Sequence, residues 1–185
     1  MENNKETFNV SVILPIKSMM IIGFDDYFEK CINSIKNQKV GINELVIVHS
    51  DETSLVEFLN SYDFGDINVK KYQWEGEANY AMQVNYGVGV AESEWISLFE
   101  IDDEYSNIWF SNVQKYTKSY PETQGFLPLV IDVDERGVFA GFTNEATFAL
   151  NISSEMGVLT NETLHTYQNR SEEHTSELQS QFRIS

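Results

Sequence analysis

The sequence holds one cysteine, three prolines and only 12 lysine or arginine residues among 185. A single thiol, Cys31, excludes an intramolecular disulfide framework and any cysteine-built metal cluster. It falls with Phe28, Ile32 and Ile35 on a stripe of helical spacing, which reads as a small buried hydrophobe. The few basic residues face 29 acidic ones, for a formal net charge of −17. A field of that sign repels phosphate backbones and anionic bilayers, so the reading is of no nucleic-acid partner. The chain also lacks an apolar run of roughly 20 residues, the length that spans a bilayer. Its nearest approach, Val10 to Phe24, is interrupted by Pro15 and Lys17, and the N-terminus is not the basic start of a signal peptide. The expectation is a soluble, cytoplasmic protein with no integral membrane segment.

What is present is a globular composition, 42% apolar and 13% aromatic. Phe8 to Ile16 is a nearly continuous β-branched run, as a strand buried on both faces should be, and Pro15 is expected to close it. Asp25 and Asp26 offer an N-cap to a helix whose apolar residues run from Tyr27 to Ile35. Glu44–His49 reads as a second buried strand, Thr53–Tyr62 as a helix, and Ile67–Trp74 as a strand nearer an edge. A helix follows, with Ala78, Ala81, Met82, Val84, Asn85 and Val88 along one face. Trp95–Ile101 is a further buried strand, and Ile108 to Tyr116 a helix stopped by Pro121. Gly125–Val133 and Val138–Phe142 make a hairpin, and Asn144–Asn169 reads as partly helical. Trp74, Tyr80, Trp95, Trp109, Phe110 and Phe142 are mostly core by spacing. Strands alternating with helices predict an α/β fold with a mainly parallel sheet flanked by helices, plus a small antiparallel hairpin. Ligands in such folds sit beyond the carboxyl ends of the strands, where His49-Ser50-Asp51-Glu52 and Glu100-Ile101-Asp102-Asp103-Glu104 fall.

Four carboxylates within five positions repel one another unless they are solvated or hold a cation. In a turn they can converge on a hard divalent ion and leave positions for phosphate oxygens. The same residues would also serve as a solvated turn, with Asp103 or Ser106 capping the next helix.

The order of several segments separates these readings. VSVILPIK, FEKCINSIKNQ with Ser34 and Gln38, ELVIVHSDET, and ANYAMQVNYGVGVAESEWISLFEIDDEY with Ala81, Asn85 and Gly87 follow one another as in a known family. From about Phe8 to Ile108 the chain resembles family-2-type glycosyltransferases of the GT-A fold, a Rossmann-like sheet. That resemblance implies transfer of a sugar from a nucleotide-diphospho-sugar donor, with a UDP-sugar favoured, assisted by Mn²⁺ or Mg²⁺. The acceptor, glycan, lipid or protein, is not indicated. It implies Asp102 as metal ligand, Glu100 as the earlier acidic ligand where the family more often has Asp, and Asp103 as the adjoining carboxylate. Pro15, Ile16, Lys17, Asp51 and Asn85 complete the implied nucleotide-sugar site. The chain departs from the family at His49-Ser50, where two aspartates are usual; either Asp51 substitutes through a shifted loop, or the base is held differently or is not uracil.

No general base is recognisable; Asp132, Asp134, Glu145, Glu155 and Glu162 are candidates without a motif, and His165 is at most an extra ligand. Two other functions remain to be weighed. One is a catalytically inactive domain of the same type that binds sugar nucleotide or a partner. The other is a nucleotidyltransferase, for which Pro15 to Ile22 lacks the Gly-rich basic loop. Finally, Arg170 to Ser180, RSEEHTSELQS, resembles a translated sequencing adapter. The expectation is a domain over residues 1–169, incomplete at its C-terminus, with a non-native, disordered tail over 170–185.

Overall fold

Thr7–Ile16 forms β1, buried continuously from Val10 onward. In the computed structural model, which describes residues 5–76, 79–134, 136, 138–144, 151–152, 156–160 and 181–183, β1 lies inside a parallel sheet. Gly41–His49 (β2) pairs along one side of it and Trp95–Leu98 (β4) along the other. Val69–Gln73 (β3) pairs with β2, giving the order β3-β2-β1-β4. The burial of β1 and β2 follows from this placement, because a central parallel strand is covered on both faces. β3 keeps the alternating exposure of an edge strand.

β1 ends at Ile16 as expected, and Pro15 is still paired within it, opposite Val48. Ile13 accepts from Phe99 N–H on the β4 side and Ile16 from Ser50 N–H on the β2 side. Backbone groups alternate sides along a strand, so the N–H that proline lacks would face β4. The β1–β4 register ends at Ile13 opposite Leu98, so no ladder bond is lost.

One face of the sheet is covered by α1 (Phe24–Lys36) and α2 (Thr53–Ser61). Their aromatic residues form a ring cluster in which Phe28 meets Phe24, Phe58, Tyr62 and Phe64 at 4.9–6.1 Å. Gly23, in the left-handed region at φ 82°, caps α1, so Asp25 and Asp26 sit in its first turn and not at the cap. They still oppose the dipole favourably there. Cys31 is buried and free.

The opposite face carries α3 (Tyr80–Val90), whose cap is Asn79, accepting from Met82 N–H. Val88 and Val90 pack there against Ile13, Val46, Val48 and Ile96. The inward stripe of α3 is Gln83, Val84 and Gly87; Ala81, Met82 and Asn85 are exposed, which corrects the face expected from spacing. Ala78 lies outside the described residues. Tyr80, also expected in the core, is 38% exposed. α4 (Trp109–Ser119) stops short of Pro121 as expected.

The chain divides into two compact units, the first ending at Lys115 and the second running Tyr116–Arg183. In the second, Thr123–Val133 (β5) and Phe139–Asn144 (β6) form the expected antiparallel hairpin. Asn151–Ile152 (β7) and Met156–Thr160 (β8) are strands, with β8 antiparallel to β5. The helical reading is therefore wrong for these residues: a strand partner outweighs weak local preference. In Gln181–Arg183 (β9), Phe182 and Gln181 lie opposite Gly125 and Phe126, whereas residues 161–180, including His165 and the whole adapter-like stretch, lie outside the described residues.

Candidate functional site

From β1 the chain steps outward through α1, β2, α2 and β3, then returns over the other face through α3 to β4. The winding therefore reverses between β1 and β4, and a sheet of this kind binds ligands where its strand order reverses, at the carboxyl ends. Pro15 and the residues after Leu98 border that point.

On the β1 side, Pro15 and Ile16 are buried while Lys17 is exposed. Glu52, after β2, ties two loops together: it accepts from Ser18 Oγ at 2.7 Å, Met19 N–H at 3.2 Å and Ser54 Oγ at 2.7 Å. Bonds from Ser18 and Ser54 hold its carboxyl below the usual range. Asp51 is exposed on this rim. His49 and Ser50 are buried, with His49 Nδ1 2.8 Å from the Ser50 carbonyl. Both side chains are thus turned into the fold.

Gln83 binds the two strand ends together, its Nε2 lying 3.3 Å from both the Ile16 and the Val48 carbonyls. Sequence reasoning missed Gln83 and Glu52. The signal for Gln83 was its position one helical turn before Gly87, on the face that touches the sheet.

On the β4 side the strand is shorter than expected, ending at Leu98, and Glu100–Asp103 form a turn closed by Asp103 N–H to Glu100 O at 3.2 Å. Beneath it, Cys31 Sγ lies 3.7 Å from the Glu100 carbonyl. Burial first, then the charges of Asp103, Asp102 and Glu104, push the Cys31 thiol well up. Asp102 and Glu104 are exposed, and Glu100 and Asp103 partly buried. The Glu100 carboxylate is 3.1 Å from the Tyr80 hydroxyl, so its extra methylene reaches α3.

Residues 11–159 match the profile of Glycosyl transferase family 2. The chain belongs to that family. Its fold is of the GT-A type, shown by solved structures of low identity. S. aureus TarS 1–349 aligns over 95% of this family 2 chain and 47% of its own, at TM-score 0.61 and 16% identity. The same TarS fragment in complex with UDP-GlcNAc covers 71% of this chain and 37% of its own, at TM-score 0.55 and 20% identity. The mannosyltransferase PcManGT from Pyrobaculum calidifontis, in complex with GDP-Man and Mn²⁺, covers 85% and 46%, at TM-score 0.52 and 15% identity. The family 2 chain thus spans less than half the length of each of these structures. No curated protein matches it.

Within this family 2 domain, Glu100, Asp102 and Asp103 share one turn, while Asp51 and Lys17 stand on the loops after β2 and β1. Asn85 is exposed midway along α3. Among the described residues no three His, Cys, Asp or Glu side chains are gathered closely enough to hold an ion by themselves. The donors in the turn are all carboxylate oxygens, a set that suits Mg²⁺ or Mn²⁺ and not a soft metal. No helix among the described residues is long and apolar enough to cross a membrane.

Of the candidate bases, Asp134 is engaged elsewhere. It accepts from Val138 N–H and Arg136 N–H, each at 2.9 Å, and pairs with the Arg136 guanidinium. The Val138 N–H, then Arg136, lower its pKa, the opposite of what a base poised near neutrality needs. Asp134 therefore closes the β5–β6 turn. Glu145, Glu155 and Glu162 lie outside the described residues.

Proposed function

We propose that this chain carries the donor side of a glycosyltransferase that moves a sugar from a nucleotide-diphospho-sugar, preferably a UDP-sugar, to a hydroxyl acceptor. The observation that carries this reading is the acidic turn at the carboxyl end of β4, placed where the sheet reverses its winding. Asp102 would hold a divalent ion, with Asp103 beside it; a bound Mn²⁺ or Mg²⁺ neutralises the charge growing on the leaving diphosphate. With few protein ligands at hand, an ion held there would leave positions for oxygens of the diphosphate, as is usual for a hard ion at a phosphate site.

Glu100 is the weaker ligand, since its carboxylate meets Tyr80. The loops after β1 and β2, joined through Glu52, would flank the nucleoside, with Asp51 and Lys17 on their rim. Asn85 is retained as a site residue in its family position. The replacement of the usual aspartates by buried His49 and Ser50 favours a second reading, a domain that binds sugar nucleotide without transferring it.

Titration calorimetry with UDP and Mn²⁺ on the wild type and Asp102→Asn tests the metal role. Metal-dependent binding that weakens at least about tenfold in the variant is expected. Equal binding by both proteins, or none by either, refutes the assignment. Sugar-nucleotide turnover separates the transferase from the binding domain.

A further inference from the structure

The acidic turn carries Glu100, Asp102, Asp103 and Glu104 in five residues, and their mutual repulsion favours an open, splayed loop. Something must close it. The residues flanking the turn are Phe99 and Tyr105, and their rings stack at 3.8 Å between centroids with 12° between planes. Phe99 is itself in the core, and its N–H donates to the Ile13 carbonyl, so one side of the stack is fixed to β1. The Tyr105 ring also lies 4.9 Å from Phe110, and its hydroxyl is hydrogen-bonded to Ser97 Oγ, inside β4. Phe110 is anchored in turn by its N–H to Gln38 Oε1 at 3.2 Å. The chain thus leaves the sheet at Phe99, makes the acidic turn, and is brought back onto the strand it left.

We propose that Tyr105 is the positioning residue of the acidic turn: its stack on Phe99 and its bond to Ser97 close the base of the loop and hold Asp102 and Asp103 together for a metal-bridged diphosphate. The closing of the loop stands on the geometry alone, whereas its use for a diphosphate rests on the donor-site reading above. Tyr105 acts through the turn and touches no reacting atom.

Two variants separate the contributions. Tyr105→Phe keeps the stack and removes the bond to Ser97; Tyr105→Leu removes both. Backbone hydrogen exchange reads the loop without any ligand. Exchange at the Asp103 N–H should accelerate about fivefold in Tyr105→Phe, the loss of one modest hydrogen bond, and more in Tyr105→Leu. Exchange at Ile13 and Val46 should not move. Calorimetry then reads the use: affinity for UDP with Mn²⁺ should fall in the order wild type, Phe, Leu, while affinity for uridine without metal stays constant.

Unchanged Asp103 exchange in both variants overturns the clamp. Accelerated exchange with uridine and UDP affinities falling together overturns the positioning role, because the damage would then be general. Accelerated exchange in a protein whose wild type binds neither ligand upholds the clamp and refutes the donor-site reading instead.

Discussion

Gly87→Ala is the sharpest test of how α3 meets the sheet. A Cβ built on Gly87 would stand 2.5 Å from Ile13 Cγ2, 3.2 Å from Val48 Cγ2 and 3.8 Å from Ile13 Cβ. The first contact is about 1 Å inside ordinary van der Waals separation, where repulsion is steep. Neither neighbour can swing away. Ile13 and Val48 are fully buried, and β-branched side chains in strands have restricted χ1. The helix must lift, opening the layer of Val46, Val48 and Ile96 beneath it. Overpacking of this kind costs about 1–3 kcal/mol, and replacing a mid-helix glycine by alanine returns about 1 kcal/mol. A contact as short as 2.5 Å belongs at the upper end of that range, so the expected net destabilisation is about 2 kcal/mol, a fall of roughly 4–8 °C in unfolding midpoint for a chain of this size. Chemical denaturation followed by circular dichroism measures it. Ile13→Leu moves the branch off Cβ at constant volume, so the double variant should be more stable than the sum of the single effects. Gly87→Ala as stable as wild type would refute the close-packing argument.

Two further outcomes follow from buried polar groups. The Glu44 side chain is fully buried; Oε1 accepts from Ser11 Oγ at 2.5 Å and Glu92 N–H at 2.7 Å. Lys70 Nζ lies 2.9 Å from Oε2 without a well-directed hydrogen bond, and the close charge contact is the better guide to that oxygen's partner. Burial raises the Glu44 pKa, but the Ser11, Glu92 and Lys70 contacts outweigh it and the net shift is downward. Its stabilisation is therefore complete above the unfolded value of about 4.3 and is lost as pH falls through the lower folded value. Glu44→Gln should flatten stability against pH in that acid range, and Glu44→Ala should cost about 3 kcal/mol in denaturant titrations near neutrality. Gln38, 2% exposed, donates to the Ser34 and Ser106 carbonyls and accepts from Phe110 N–H. Gln38→Leu should cost about 2 kcal/mol by the same titration, with Gln38→Glu no better, since a carboxylate loses the donor to both carbonyls.

The parallel sheet was legible because β1 and β2 are runs of buried residues rich in β-branched side chains and β4 lies in a short apolar run, with helical segments between them. Pro15 sits paired at the end of β1, next to its last residue Ile16. Its cost depends on which neighbour its missing N–H would have faced, and that is a property of the β4 register. The inward stripe of α3 was misjudged because alanine, methionine and asparagine match the period as well as Gln83, Val84 and Gly87 do. Only the need for close approach at Gly87 selects among them. β8 was missed because a strand paired at long range leaves little local trace.

The sequence by itself determined the order of elements as far as the β5–β6 hairpin, the family and the place of the acidic turn after a buried strand, because apolar period and ordered motifs are carried locally along the chain. Tertiary structure decided what each polar residue does. Glu100 reaches Tyr80, Glu52 joins two loops, Gln83 bridges two strand ends and Tyr105 closes the acidic turn. These roles depend on which donors and acceptors meet across the sheet, and distance along the chain carries almost none of that information.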